Sequence, residues 1–269
     1  MNDLVAEIRA GDCPGVVVTA EDLEYLTDNR SARERLVGAI QASDYSVELV
    51  VILREQVSYA DSLFAELVKH GLKKSYTEFV FEILQSGKFR MHDDWIFYFD
   101  YQRMLENWRA SNLDKIWVIP YEDPSDSEAP DIVGKFLTLL GVDHLPGLVS
   151  AARSFKRHNP RLNDTAVLTL HLLNQLEGSI DNPLNLARLR ETLMRPPETD
   201  ARLPLQCRAN VRQRHRIRRH FRSSNGWIER EYGCRLGPSW RVAGADAIED
   251  LALELFDHFK PGGGHHASK

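Results

Sequence analysis

The sequence predicts an α/β domain on a parallel sheet covered by helices, followed by an all-helical half. Three observations lead there. Over residues 1–141 short apolar runs alternate with helical patterns, as βαβ units do. After Asp143 the apolar runs stop and helical periodicity continues alone around 164–176, 183–193, 208–221 and 245–259, between Pro-rich or Gly-rich breaks. The 269 residues are 43% hydrophobic and 27% charged, a globular composition, and a chain of this length buries roughly 70–75% of its unfolded surface. The divisions read as an α/β core over 1–143, a helical extension over 144–260 packed on it, and a disordered tail over 261–269, which holds no core-forming run.

Three runs predict the strands: 15–19 (GVVVT), 47–53 (VELVVIL) and 115–120 (KIWVIP). They are rich in β-branched residues with little polar alternation, as expected of strands covered on both faces. Helices fill the gaps. Ser31-x-x-Glu34 reads as a capping box opening a helix to Gln41, one more starts near Val57, and Ser75-x-x-Glu78 opens another that carries Phe79, Ile83 and Leu84. The 100–111 pattern places Met104, Leu105 and Trp108 on one face, and the 131–140 pattern does the same with Ile132, Phe136, Leu139 and Leu140.

Composition excludes several classes. Thirty-four basic residues against 39 acidic ones give a net charge of -5, which excludes a globally basic nucleic-acid binder and leaves only local patches. Cys13, Cys207 and Cys234 form no C-x-x-C pair and cannot all pair with one another, which favours a reducing compartment. No stretch approaches a membrane span, and Met1-Asn2-Asp3 does not open a secretory signal, so the expectation is a soluble, cytoplasmic protein. His265 and His266 read as part of a solvated tail, and no metal site is expected.

Ligands of open α/β sheets bind beyond the carboxyl ends of the strands. Those ends deliver Thr19-Ala20-Glu21-Asp22, Arg54-Glu55-Gln56 and Tyr121-Glu122-Asp123. Thr19 and Asp22 can cap a helix, and Arg54 can pair with Glu21 or Glu122. Against that stands Ser62, eight residues after Arg54 and on the helix that follows it. A guanidinium at a strand tip and a hydroxyl from the next helix can converge on one anion, and phosphate is the natural guest.

The run Val50-Val51-Ile52-Leu53-Arg54 with Ser62 resembles the segment by which sulfotransferases hold the 3′-phosphate of 3′-phosphoadenosine 5′-phosphosulfate (PAPS). Val16-Val17-Val18-Thr19-Ala20-Glu21-Asp22-Leu23 is similar to a strand end of bacterial sulfotransferase-like proteins. So is Tyr121-Glu122-Asp123 with Ile132-Val133-x-x-Phe136-Leu137 and Leu140-Gly141, in the same order. His158-Asn159-Pro160-Arg161-Leu162 before Leu172-Leu173-Asn174, and Ser224-Asn225 before Tyr232, match more loosely, with Arg161 where the family suggests serine. The resemblance covers roughly residues 2–235. It implies a P-loop-type, three-layer parallel sheet, PAPS as co-substrate, and sulfuryl transfer to a hydroxyl or amine of a carbohydrate or small metabolite. It also implies Arg54 and Ser62 as cofactor-binding residues and Glu21 as the catalytic base. Glu21 could instead pair with Arg54 and orient it, and Tyr121 and Glu122 would brace the cleft.

The resemblance departs at the front. Gly11, Gly15, Gly38 and Gly71 are the glycines before residue 72, and none opens the G-T-x-K-[TS]-G-T-[TS] loop that grips the 5′-phosphosulfate. The chain therefore reads as a family member without its first βα unit. With a complete N-terminus the resemblance implies an active transferase. As written it equally suits a non-catalytic binding or regulatory module, whose bare sheet surface would allow a homo-oligomer.

One feature stands apart. On a helix over 208–222, Arg208, Arg212, His215, Arg219 and Arg222 form a basic stripe, with Val211, Ile217 and Phe221 opposite. It reads either as a solvated face paired with acids or as a contact for an anionic cofactor or acidic glycan. Without interleaved exposed aromatics, nucleic acid is not the expected partner.

Overall fold

A computed structural model of the chain describes residues 15–19, 21–92, 95–121, 132–145, 162–176 and 208–237, with short pieces at 6–8, 10, 147–148, 151 and 191–193. The second and third predicted strands form and are neighbours. Strand β1 (Glu48–Leu53) runs parallel to β4 (Lys115–Pro120), with Glu48 opposite Lys115 and Leu53 opposite Pro120. The crossover between them holds helices α2 (Gln56–Lys69) and α3 (Tyr76–Ser86), the hairpin strands β2 (Lys88–Arg90) and β3 (Ile96–Tyr98), and α4 (Tyr101–Arg109). A 3-10 helix over Glu21–Asp28 and α1 (Arg30–Gln41) precede β1; α5 (Ile132–Leu139), α6 (Asp164–Leu176) and α7 (Val211–Tyr232) follow β4.

The first predicted strand is not one. Residues 15–19 have no ladder partner among the described residues, and Val16, Val17 and Val18 are 45%, 54% and 39% exposed. Three β-branched side chains favour an extended backbone, but a strand exists only where a neighbouring edge takes its hydrogen bonds. Among the described residues the parallel sheet therefore has two strands. Its cover is also partial: Leu53 and Ile119 are buried, whereas Ile52 is exposed.

Two cores hold the helices in place. One joins α2, α3, α6 and α7 around Phe79, whose ring lies 4.7 Å from Phe89 and 5.5 Å from Phe64, centroid to centroid. The other packs Tyr101, Met104, Leu105 and Trp108 of α4 against Leu53 of β1 and Ile228 of α7. Both use the apolar faces read from the sequence for α3 and α4. In α5 the buried residue is Leu137, and Leu140, expected on its packing face, is exposed.

Helix boundaries follow local chemistry. The Ser75–Glu78 capping box forms as predicted. At α1 the cap is Asn29, whose side chain accepts from the Ala32 N–H at 3.0 Å, while Glu34 pairs with Arg30 at the surface. Ser31 therefore lies inside the helix. Helix α7 begins at Val211 and runs to Tyr232, so Arg208 precedes it and Gly226 does not break it. The predicted helices over 183–193 and 245–259 and the tail over 261–269 lie outside the described residues, apart from helical 191–193. No helix among the described residues is long and apolar enough to cross a membrane. Cys234 is buried, and the other two cysteines lie outside the described residues.

Gly87 closes α3 at φ 74°, in the left-handed region. Its carbonyl accepts from the Phe99 and Asp100 N–H groups at 2.8 Å, which brings the start of α4 against the end of α3. A Cβ there would meet the Asp100 Cβ at 2.9 Å. Gly87→Ala is expected to cost about 2 kcal/mol, from left-handed strain plus displacement of that backbone, as read from a urea denaturation midpoint.

Candidate functional site

The carboxyl ends of β1 and β4 meet where the Tyr121 N–H donates to the Leu53 carbonyl at 2.6 Å. Arg54 leaves β1 at this point and turns along α2. Its Nη1 donates to Ser62 Oγ at 2.7 Å, and its guanidinium carbon lies 4.9 Å from the Tyr121 ring centroid. The Tyr101 hydroxyl donates to the Arg54 carbonyl at 2.7 Å. Backbone, side-chain tip and guanidinium face are thus each held by a different element, and the residue is half-buried.

The structure therefore brings the predicted pair together. Among the described residues no carboxylate forms an ion pair with Arg54, so of its five donors only the Nη1 contact is used internally. Glu122, one of its two expected alternative partners, lies outside the described residues. Glu21, the other, opens the 3-10 helix, but its side chain is likewise outside them.

One helical turn on, Glu24 shows what burial does to a carboxylate. The Tyr98 N–H donates to its Oε1 at 2.6 Å, and desolvation raises the carboxyl to about 7 despite that bond. Tyr59 and Tyr101 lie close enough for its charge to raise their hydroxyls, and Tyr101 is the residue holding the Arg54 carbonyl. Nothing in Glu21-Asp22-Leu23-Glu24 marks which acid turns inward; tertiary packing decides it.

The entrance to α2 carries acids that α7 answers. Glu55 caps α2 by accepting from the Ser58 N–H at 2.9 Å, and Arg218 Nε stands 3.4 Å from its other oxygen. Asp61 accepts from the Tyr76 hydroxyl at 2.7 Å and the Ala209 N–H at 2.9 Å, with Arg214 at 3.9 Å, and its burial raises its carboxyl. Gln56 and Asn225 exchange amide hydrogen bonds at 2.6 and 2.9 Å. Sequence reading, whose basic stripe is Arg208, Arg212, His215, Arg219 and Arg222, does not single out Arg214 and Arg218. The signal that could have done so is Glu55 and Asp61 following Arg54 on α2, two acids that need partners once α7 packs there.

The predicted stripe is corrected in part. Arg208 lies before α7 and pairs with Asp164 at 2.8 Å, as the solvated-face reading expects. Arg212, Arg219 and Arg222 are exposed on α7. Ile217 and Phe221 are buried opposite them, but Val211 is 47% exposed. A cleft of about 230 Å³ lined by Arg109, Leu113, Asp114, Lys115, Ile116 and Tyr232 sits at the amino end of β4, away from Arg54.

No family model, curated protein or solved structure matches the chain.

Proposed function

We propose that the chain is a sulfotransferase-like protein of P-loop-type fold that binds PAPS through a phosphate held between Arg54 and Ser62. The observation that carries this reading is the 2.7 Å Arg54–Ser62 contact beyond the carboxyl end of a parallel strand pair. Tyr121 stacks on the guanidinium, and no described carboxylate competes for it. An arginine left with open donors in a half-buried place suits a phosphate, because forked charge-assisted hydrogen bonds strengthen where water is partly excluded.

The reaction this implies is sulfuryl transfer to a hydroxyl or amine of a carbohydrate or small metabolite. The acceptor atom attacks sulfur, the bond from sulfur to the 5′-phosphate oxygen breaks, and adenosine 3′,5′-bisphosphate leaves. The acceptor's proton passes to a carboxylate, the role this reading gives to Glu21. Positioning and charge neutralisation supply most of the rate in such transfers.

Calorimetry with adenosine 3′,5′-bisphosphate tests the binding step. Arg54→Ala is expected to weaken binding roughly 100-fold, the worth of two charge-assisted hydrogen bonds. Unchanged affinity in the variant would remove the phosphate assignment. A second reading, a non-catalytic binding module of the same fold, is favoured by the exposed valines at 16–18, which suit a partner surface. Nucleotide binding without consumption of PAPS would select it.

A further inference from the structure

We infer that the outer face of α7 is a binding surface for an acidic polysaccharide, held by Arg216, Arg219, Arg222 and Arg230 along a stripe with a gap at Gly226. The inference does not rest on the Arg54–Ser62 reading.

The residues of α7 divide by the side they face. From Val211 to Ile228 the helix carries six arginines and no acid. Arg214 and Arg218 face α2, where Asp61 and Glu55 meet them. Ile217, Phe221 and Ile228 turn into the two cores. On the outer side, steps of three, three, four and four residues place Arg216, Arg219, Arg222, Gly226 and Arg230 in one stripe, since such steps stay on one helix face. The four arginines are exposed, and among the described residues none of them has a hydrogen bond or ion pair. Arginines three residues apart on a helix repel one another, so the stripe stands at a cost that an anionic partner relieves.

Gly226 opens a gap in that stripe. A Cβ on it would lie 3.5 Å from Arg230 Nη1, so Arg230 leans back one turn over the glycine, as helical side chains do. Arg222 stands one turn before the same gap, and the exposed Ser223 lies beside it, its hydroxyl without a partner among the described residues. A sulfate or carboxylate seated over Gly226 meets a guanidinium on either side, and the planar fork of arginine matches both groups. From Arg216 to Arg230 the stripe runs about 21 Å at 1.5 Å per residue, a length that suits a chain of anions over a single one. The net charge of -5 turns such a chain away from the rest of the surface.

The setting of α7 selects among polyanions. The helix packs against α2, α3 and α4, so it cannot enter a DNA major groove about 12 Å wide as a protruding helix does. No exposed Phe, Trp or Tyr stands among the four arginines to stack unpaired bases; Trp227 is half-buried and lies against Arg109 and Tyr232. A lipid surface needs an apolar side to insert, and that side of α7 is in the cores. An acidic sugar chain needs only spaced cations and short polar side chains such as Ser223.

Calorimetry of the full chain with a heparin hexasaccharide at low salt tests the surface. The wild type is expected to bind, with affinity falling steeply as salt rises. Arg219→Gln combined with Arg222→Gln should weaken binding at least about tenfold. Gly226→Glu puts a carboxylate four residues from both Arg222 and Arg230. It should weaken binding about tenfold while keeping or raising the melting temperature, which separates a filled stripe from a misfolded chain. Arg35→Gln, which removes an exposed charge on α1, and Arg54→Ala should each stay within about twofold of the wild type. No binding by the wild type, unchanged affinity in either the double variant or Gly226→Glu, or an equal loss in Arg54→Ala overturns the inference. Tighter binding of a single-stranded or duplex oligonucleotide, or of phosphatidylserine vesicles, also overturns it and gives the face to nucleic acid or lipid.

Discussion

Arg33→Ala is expected to lower the free energy of unfolding by about 3–5 kcal/mol, a large share of the 5–15 kcal/mol typical of a domain. Arg33 lies on α1 and is only 3% exposed, and its burial holds the guanidinium below its ordinary pKa. The burial is compensated bond by bond. Its Nε donates to Ser111 Oγ at 3.0 Å beyond α4, and its Nη1 donates to the carbonyls of Leu26 and Thr27. Those carbonyls lie at the end of the 3-10 helix; Leu26 also accepts from the Asn29 N–H at 2.9 Å, whereas Thr27 has the guanidinium as its donor. The guanidinium also lies 5.8 Å from the Trp108 ring, whose Nε1 donates to Thr27 Oγ1. Alanine would leave the Thr27 carbonyl and the Ser111 hydroxyl short of a donor and open a cavity between α1 and α4. Arg33→Lys should recover less than half, because an ammonium cannot span three acceptors with planar geometry. Urea denaturation midpoints measure both, and a loss below about 1 kcal/mol would mean that water reaches those carbonyls instead.

Arg33 also shows where sequence reading stops. Within Arg30-Ser31-Ala32-Arg33-Glu34-Arg35 nothing separates the buried arginine from its exposed neighbours, because the choice depends on Ser111, 78 residues away. What was legible is local or periodic: the Ser75–Glu78 box, the Met104, Leu105 and Trp108 face of α4, and the apolar runs of β1 and β4. The failures have a common cause. Val16-Val17-Val18 has the propensity of a strand and no partner among the described residues, and β2 and β3 have partners but only three residues each, too short for a period to show. Pairing is a non-local property, so composition over a window reads it poorly.

The site divides in the same way. The contact between Arg54 and Ser62 could be read because both sit at places fixed by local structure, a strand end and the second turn of the next helix. The contacts of Arg218 and Glu24 could not, since each meets an element distant in sequence: Glu55 beside α2 for one, Tyr98 on β3 for the other. Tyr121, expected to brace the cleft, lies across the Arg54 guanidinium because parallel pairing sets Leu53 opposite Pro120 and so brings the two strand exits side by side.

Glu24→Gln is expected to stabilise the protein at pH 8 by up to about 3 kcal/mol and to leave it nearly unchanged at pH 4. Below about pH 4.5 the carboxyl is protonated in both folded and unfolded chains, and glutamine is a close substitute whose carbonyl can still accept from Tyr98. Between about 4.5 and 7 the unfolded chain releases the proton while the folded one retains it, because burial among Tyr59, Tyr98 and Tyr101 raises the folded carboxyl to about 7. The folded state then binds more protons than the unfolded state, so the wild type loses stability as pH rises through that window. Above 7 both forms are ionised and the deficit is constant. Glutamine carries no charge to desolvate, so the difference between the two stability curves should open from pH 4.5 to 7 and then level off. Chemical denaturation of both proteins across pH 4–9 measures this difference directly, with all shared titrations cancelling. A flat difference curve would mean that Glu24 is hydrated in the folded protein, and a curve of opposite slope would mean that a cation holds it ionised.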